Sequence, residues 1–95
     1  MLEINNYFDG NVASIDLQTE TLPATVGVMN IGEYTFGTSQ HEVMTVVSGL
    51  LSVKLPNSDA WQDFKAGESF EVSANASFDV KAEVQTAYLC TYEDK

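Results

Sequence analysis

Turn-forming residues recur roughly every eight to twelve positions along this chain, and this spacing restricts the fold more than any other feature. Asp9–Gly10, Asn30–Gly32, Ser48–Gly49 and Lys65–Gly67 separate short runs in which apolar and polar residues alternate. Apolar residues spaced i, i+3, i+4, i+7 do not persist for about ten residues anywhere, so no amphipathic helix is indicated. The sequence therefore predicts an all-β sandwich or barrel.

The alternating runs predict one domain over residues 1–95. With 44% hydrophobic and 19% charged residues, the chain has enough apolar side chains for one core, whereas two cores would each be too small. No strand is predicted before Val12. The segment Met1–Gly10 mixes polar and apolar residues without alternation, and Tyr7 and Phe8 are expected to anchor it. The nine predicted strands are Val12–Leu17, Ala24–Asn30, Glu33–Thr38, Glu42–Ser48, Leu50–Leu55, Trp61–Phe64, Ser69–Val72, Ser77–Ala82 and Thr86–Tyr92, with a solvated tail at Glu93–Lys95.

Acidic residues dominate the charge of the chain. Fourteen of them face four lysines and no arginine, which gives a net charge of −10. Nucleic acid and anionic membranes are poor partners for this charge, because both are bound by neutralising phosphates. One phosphate ion remains compatible, since backbone N–H groups of a turn can bind it. No apolar run approaches the ~18–20 residues of a membrane helix and the N-terminus lacks a secretory pattern, so a cytoplasmic protein is predicted.

Residues that commonly carry chemistry are few. His41 is the only histidine and Cys90 the only cysteine, so a zinc or iron site with several converging ligands is not expected. Cys90 is predicted to be a small buried residue, and it would act as a nucleophile only beside a base. His41 lies in a polar corner and is predicted to be a solvated loop residue, although imidazole suits proton transfer.

Glu42 is the carboxylate that strand alternation directs into the fold. In a strand that begins at Glu42, its side chain shares one face with Met44, Val46 and Ser48, which predicts that it points into the mouth of a barrel. There it could bind a sugar hydroxyl or stabilise positive charge developing on a sugar ring. A glutamate on the rim in water is the alternative. Aromatic residues that could stack on a flat ligand, or simply fill the core, are Tyr34, Phe36, Trp61, Phe78, Tyr88 and Tyr92.

The stretch Gly32–Gly49 resembles the first motif of the cupin superfamily, whose members are small jelly-roll β-barrels. That motif runs glycine, two histidines one residue apart, glutamate, six residues and glycine, and Glu42 and Gly49 match its second half. The histidine positions carry no imidazole here: they fall on Thr35 and Gly37, or on Phe36 and Thr38.

The second cupin motif maps to Gly67, Ser73, Asn75 and Phe78, and Phe78 stands where a metal-binding histidine is expected. Three of the four usual metal ligands are therefore missing. The resemblance implies a single-domain, cupin-like jelly-roll barrel that works without a metal or another cofactor.

A closer resemblance covers nearly the whole chain and points to the small pyrimidine/purine nucleoside phosphorylase family. It implies that a nucleoside and phosphate give the free base and ribose 1-phosphate, with both purine and pyrimidine nucleosides accepted, and that the protein is a homodimer. The segments that carry the resemblance, in order, are Asn6–Phe8, Val26–Met29, Gly32–Phe36, Met44–Val46, Ser48–Gly49 and Tyr88–Cys90.

On this reading Glu42 is the predicted catalytic residue, acting on the ribose or on the cationic transition state. Thr38 and Ser39 are predicted to hold phosphate. Some relatives carry arginine where this chain has Thr91, so lysine, hydroxyl or backbone N–H groups would have to replace it. Lys54 and Lys81 are the lysine candidates. The remaining predicted substrate-binding residues are Tyr34, Phe36, Met44, Trp61, Phe78 and Tyr88, of which Tyr34, Phe36 and Trp61 flank the base.

Two other functions stay open from the sequence. One is a non-catalytic, small-ligand-binding or regulatory cupin dimer, and the other is a metal-dependent dioxygenase or isomerase, which needs ligands that this chain lacks. The dimer is a separate expectation, because Val43, Thr45 and Val47 on the opposite face of the Glu42 strand must be covered by a second sheet or a partner subunit.

Overall fold

The computed structural model describes residues 1–94, and every regular element within that range is a β-strand. This agrees with the period-two alternation of side chains and with the turns between the runs. The ten strands are β1 (Ile4–Tyr7), β2 (Val12–Gln18), β3 (Pro23–Met29), β4 (Gly32–Gly37), β5 (His41–Ser48), β6 (Leu50–Lys54), β7 (Gln62–Lys65), β8 (Ser69–Val72), β9 (Ser77–Ala82) and β10 (Thr86–Glu93).

The strands form two antiparallel sheets. The larger sheet has the order β1-β2-β3-β10-β5-β8, and the smaller sheet has the order β4-β9-β6-β7. Across residues 1–94 the ladders stay inside each sheet, so no ladder closes the two sheets into one barrel. The all-β prediction is confirmed, while the predicted barrel is an open pair of sheets.

Inward-facing side chains of both sheets share one apolar core. Leu51, Val53 and Val80 of the smaller sheet cluster with Met29 and Val46 of the larger sheet, and all five are fully buried. Burial of one such side chain stabilises a fold by about 1.5–3 kcal/mol. This central cluster is therefore the main source of stability.

All nine predicted strands are present, and their ends differ by at most one residue from the prediction. The strand that the sequence did not reveal is β1, because Ile4–Tyr7 is too short and too polar to show alternation. Its position is set by pairing with β2, in which Ile4 lies opposite Ile15. The tertiary structure, and not local sequence, defines this edge strand.

A register irregularity near the end of β5 changes the orientation of one predicted inward residue. Tyr88 pairs with Val46, whereas the adjacent Ala87 pairs with Ser48, so Val47 is an extra residue in β5. An extra residue reverses the alternation that follows it. Ser48 is exposed as a result, and the prediction that it faces inward is wrong.

His41 also differs from the prediction. It is the first residue of β5 and its side chain is only 13% exposed, with Nε2 3.7 Å from a carboxylate oxygen of Glu71. The expected solvated loop histidine is therefore wrong, because β8 lies beside β5 and partly covers the ring.

The C-terminal residues were expected to form a solvated tail. Glu93 instead belongs to β10, Asp94 is exposed, and Lys95 lies outside the described residues. Within residues 1–94 there is no helix of the length and apolarity needed to cross a membrane.

Candidate functional site

A cavity of about 240 Å³ lies between the two sheets at one end of the core. One wall is polar and comes from the larger sheet, while the facing wall is aromatic and comes from the smaller sheet. The lining residues are Tyr7, Ser14, Thr25, Phe36, Gly37, Glu42, Met44, Phe78, Tyr88, Cys90 and Tyr92.

The polar wall is built by the antiparallel pair of β5 and β10. Glu42 lies opposite Tyr92 and Met44 lies opposite Cys90 in the register of this pair. Because side chains alternate along each strand, all four point to the same face. The sequence prediction that Glu42 and Met44 face inward together is confirmed by their place in the cavity lining.

Glu42 is the carboxylate of this cavity, and two effects act on it in opposite directions. Partial burial raises the pKa of Glu42 above its ordinary value, because a desolvated carboxylate is less stable. A hydrogen bond from the Cys90 thiol, with Sγ 3.4 Å from Oε1, lowers the pKa. Burial is the larger effect, so Glu42 is more readily protonated than an exposed glutamate.

Cys90 is confirmed as a buried residue, with 1% of its surface exposed. Burial, followed by the charge of Glu42, raises the pKa of the Cys90 thiol to about 12. A carboxylate does lie beside this cysteine, but the thiol remains protonated at neutral pH. Cys90 is therefore a hydrogen-bond donor and not an activated nucleophile.

The two tyrosines of the polar wall also keep their protons. Burial is the main effect that raises the pKa of Tyr88 to about 12, and burial likewise raises the pKa of Tyr92. The Tyr92 hydroxyl lies 2.9 Å from the Thr25 hydroxyl, and the Ser14 hydroxyl lines the same cavity as Tyr88. A phenol can both donate and accept, so these hydroxyl pairs can meet either kind of polar ligand atom.

Gly27 makes room for the Tyr88 ring. A Cβ atom added at Gly27 would lie 2.5 Å from the ring carbon that bears the Tyr88 hydroxyl. Gly27 lies opposite Tyr88 in the register of β3 and β10. The missing side chain thus lets Tyr88 lie flat over β3 and form the floor of the cavity.

The aromatic wall is formed by Phe36 and Phe78. Their ring centroids are 5.7 Å apart with an interplanar angle of 28°, which is a stacked pair. They are adjacent because Phe36 of β4 lies opposite Phe78 of β9. Such a wall suits a flat ligand, since ring faces attract other aromatic faces and edges.

Four of the predicted substrate-binding residues line the cavity with Glu42: Phe36, Met44, Phe78 and Tyr88. Tyr34 does not line the cavity and lies behind Phe36, with ring centroids 6.2 Å apart. The Tyr34 hydroxyl donates a hydrogen bond of 2.8 Å to the Asn30 carbonyl. Tyr34 therefore supports the aromatic wall from the core.

Trp61 is separated from the cavity. It lies on the outer side of the smaller sheet, 41% exposed, with Lys81 Nζ 4.5 Å and Lys54 Nζ 5.5 Å from a ring centroid. Lys81 Nζ also lies 3.4 Å from the Glu33 carboxylate. The structure therefore does not bring Trp61 or these two lysines, which were candidates for phosphate, to Glu42.

Thr38 and Ser39 lie in the corner that follows β4. The Thr38 hydroxyl donates to the Ser73 carbonyl at 2.7 Å and accepts from the Ala76 backbone N–H at 3.0 Å. This hydroxyl thus holds the turn before β9 in place. Ser39 is exposed, and neither residue belongs to the cavity lining.

Several lining residues were not predicted as site residues. Tyr92 was recognised only as one of six aromatic candidates, and Cys90 only as a core residue. Ser14 lies in a predicted strand, but nothing local showed that its side chain faces the same cavity as Glu42. Tyr7 belongs to the strand that was missed, Thr25 carries no signal of its own, and Gly37 was noted only as one of the alternative positions for a cupin histidine.

A larger and more open groove of about 570 Å³ adjoins the cavity. Tyr7, Thr25 and Tyr92 line both spaces, so the groove lies directly next to the cavity.

Residues of this cavity do not fit a metal ion. Phe36 and Phe78 present carbon-only rings beside Glu42, and Phe78 stands at the position where the second cupin motif carries a metal-binding histidine. Among residues 1–94 no three His, Cys, Asp or Glu side chains converge on one point. One carboxylate and a protonated thiol are too few ligands for zinc or iron.

Known proteins with similar sequences point to one family. The family model for pyrimidine/purine nucleoside phosphorylase matches residues 2–92. A relative named pyrimidine/purine nucleoside phosphorylase, from Magnetococcus marinus, is 68% identical over 92 residues, which cover 97% of this chain and 99% of the relative.

Solved structures agree on the fold. A protein of unknown function from Vibrio parahaemolyticus is 44% identical, with a TM-score of 0.93, over 98% of this chain and 99% of that chain. An RmlC-like cupin from Shewanella frigidimarina is 21% identical, with a TM-score of 0.77, over 99% of this chain and 85% of that chain. The cupin-like fold expected from the sequence is thereby confirmed.

Proposed function

The chain belongs to the pyrimidine/purine nucleoside phosphorylase family, and we propose that it cleaves purine and pyrimidine nucleosides with phosphate. The products are the free base and ribose 1-phosphate. The observation that carries this proposal is the 68% identity to a relative of that name over nearly the full length of both chains. The reaction transfers a pentosyl group, so the enzyme is a glycosyltransferase in this sense.

The chemistry requires stabilisation of positive charge at the ribose. A phosphate oxygen forms a bond to C1′ while the C1′–N bond breaks, and the electron pair of that bond leaves with the base, which takes up a proton. The ribose ring resembles an oxocarbenium ion between these events, by analogy with glycoside cleavage. Glu42, half-buried and aimed into the cavity, would stabilise this charge more strongly than a carboxylate in water.

We place the ribose at Glu42 and the base against the aromatic wall of Phe36 and Phe78. Tyr88 and Met44 complete the surface around the base. Recognition by stacking and by hydroxyl pairs, which can donate or accept, would tolerate both keto and amino groups on the base. A site with fixed donors would instead reject analogues sharply. This explains how one cavity would serve purine and pyrimidine nucleosides.

Phosphate is proposed to bind at the corner after β4, next to Gly37 on the cavity wall. The Thr38 hydroxyl is already bonded to the Ser73 carbonyl and the Ala76 N–H, so it orders the corner. Ser39 is exposed and can offer its hydroxyl. This arrangement would hold phosphate without arginine, through hydroxyl and backbone N–H groups.

Incubation with phosphate and a set of nucleosides tests the function directly. We expect ribose 1-phosphate and free base from uridine, cytidine, adenosine, guanosine and inosine, detected by chromatography. Omission of phosphate should abolish product, which separates phosphorolysis from hydrolysis. Thermal stabilisation by nucleosides without any product would contradict the proposal and favour a ligand-binding protein instead.

We also propose a cytoplasmic homodimer that forms through the outer face of the larger sheet. The support is a set of exposed apolar side chains on neighbouring strands: Ile15 and Leu17 of β2, Val26 and Val28 of β3, and Val47 of β5, each 39–58% exposed. Ile15 lies opposite Val26, so these side chains form a continuous surface. An apolar surface of this kind is typical of an interface between subunits.

Replacement of Val26 by lysine tests the dimer. We expect the wild-type chain to sediment at twice the chain mass at micromolar concentration, and Val26→Lys to shift it to the monomer because a charge at the interface is desolvated. Val84→Lys is the matched control, since Val84 is 48% exposed but follows β9 in a turn. A wild-type monomer, or equal effects of both substitutions, would contradict this interface.

A further inference from the structure

Three side chains connect the Glu42 carboxylate to β3 through β10. Cys90 Sγ lies 3.4 Å from Glu42 Oε1, Cys90 and Tyr92 point to the same face of β10 and line the same cavity, and the Tyr92 hydroxyl lies 2.9 Å from the Thr25 hydroxyl. Cys90 and Thr25 lie opposite each other in the register of β10 and β3, while Tyr92 lies opposite Glu42 in β5. The contacts therefore cross three adjacent strands of one sheet.

The direction of these hydrogen bonds follows from counting protons. An ionised carboxylate can only accept, so Cys90 donates its single proton to Glu42. The sulfur is then left with acceptor capacity only, and the neighbouring Tyr92 hydroxyl on the same face of β10 can donate its own proton to it. The oxygen of Tyr92 accepts in turn from Thr25. Every donor thus points toward Glu42.

We propose that Thr25, Tyr92 and Cys90 form a directed chain of hydrogen bonds that aims Glu42 at the ribose and favours its ionised form. Hydrogen bonds in such a chain polarise one another, so each bond strengthens the next. These hydrogen bonds oppose the effect of burial, which favours protonation of Glu42. Cys90 and Thr25 are positioning residues, because they act through Glu42. The catalytic part of this proposal rests on the proposed function.

Loss of the hydrogen bond from Cys90 should shift the pH dependence of the rate in one direction. Catalysis requires ionised Glu42, so the rate falls as pH drops through its pKa. Removal of the thiol donor raises that pKa, and the acid limb of the profile therefore moves to higher pH. The titratable groups that face Glu42 are Cys90, Tyr92 and Tyr88 of β10, with Tyr7 of β1 beyond Tyr88.

The pH profile of kcat/KM for uridine, measured for three variants and for wild type, tests the proposed chain of hydrogen bonds. On the acid limb we expect kcat/KM of Cys90→Ala to be about three- to tenfold lower than that of wild type. At high pH the kcat/KM values of the two proteins should converge. Cys90→Ser retains a donor and should restore the wild-type limb. Thr25→Val, equal in shape to threonine, should move the limb in the same direction as Cys90→Ala, but by less. Parallel profiles for all variants, or no rescue by serine, would overturn the proposal.

A second measurement does not depend on turnover. Alkylation of Cys90 by iodoacetamide is followed against pH in wild type and in Glu42→Gln. Loss of the negative charge should make the thiol ionise at lower pH, so alkylation of the variant begins at lower pH. Glu33→Gln, on the outer side of the smaller sheet, should leave the alkylation profile unchanged. Identical profiles in Glu42→Gln and wild type would refute the contact even if the protein showed no phosphorolysis.

Discussion

Glu42→Gln is expected to lower kcat/KM for phosphorolysis of uridine and adenosine by about 10²–10³. Glutamine keeps the shape of glutamate and one acceptor oxygen, but it removes the negative charge that would stabilise the cationic ribose. Because that charge acts mainly in the transition state, kcat should fall more than KM rises. Steady-state kinetics with saturating phosphate provide the measurement.

The same substitution should not destabilise the fold. Burial raises the pKa of Glu42 in the folded protein, so its contribution to stability is present at acid pH and is lost as pH rises through the folded pKa. Glutamine stays uncharged at every pH, so the variant does not lose stability in this way. Its unfolding temperature should therefore match or exceed that of wild type at neutral pH. The difference between the two unfolding temperatures should shrink at acid pH. Glu33→Gln is the control that should retain activity. Unchanged turnover in Glu42→Gln would show that this carboxylate is not catalytic.

Gly49→Ala is expected to reduce the free energy of unfolding by about 3–5 kcal/mol, a large part of the stability of a small domain. Gly49 has φ +103°, which side chains rarely adopt, and an added Cβ would lie 2.5 Å from Thr86 Oγ1 and 2.8 Å from the Gln85 carbonyl oxygen. Thr86 cannot easily move, because it is fully buried and its hydroxyl contacts the backbone N–H of Leu50 at 3.2 Å. Strain and steric overlap therefore add.

Gly67→Ala separates these two causes. Gly67 has φ +89°, but nothing lies within 4 Å of an added Cβ. Only backbone strain should then appear, with a loss of about 1–2 kcal/mol. Urea unfolding of both variants gives the comparison. Equal losses would mean that close packing against β10 does not account for the glycine at position 49.

Much of the site follows from alternation along β5. The sequence predicted that Glu42 and Met44 share an inward face, and the structure places both in the cavity lining. The alternation failed only at Ser48, where Val47 is an extra residue in the strand. A bulge of this kind depends on the pairing with β10 and has no signature in β5 itself.

Residue type was a poorer guide than alternation. Trp61 was predicted to flank the base because it is aromatic, yet it lies on the outer side of the smaller sheet beneath Lys54 and Lys81. Thr38 was predicted from its hydroxyl, and that hydroxyl holds the turn at Ala76. Whether Ser39 binds phosphate stays a prediction. Side-chain chemistry says what a residue can do, while its neighbours decide whether it does so.

The sequence by itself determined nine of the ten strands, the inward orientation of Glu42 and the absence of a histidine cluster, because alternation and composition are local properties of the chain. The tertiary structure alone decided that Thr25, Tyr92 and Cys90 line the same cavity as Glu42, with Thr25 and Cys90 separated by 65 positions and brought opposite each other by the register of β3 and β10. Register is set by packing across the whole sheet and not by neighbours in sequence. For this reason Glu42 could be found from the sequence, whereas the hydrogen bonds that aim it could not.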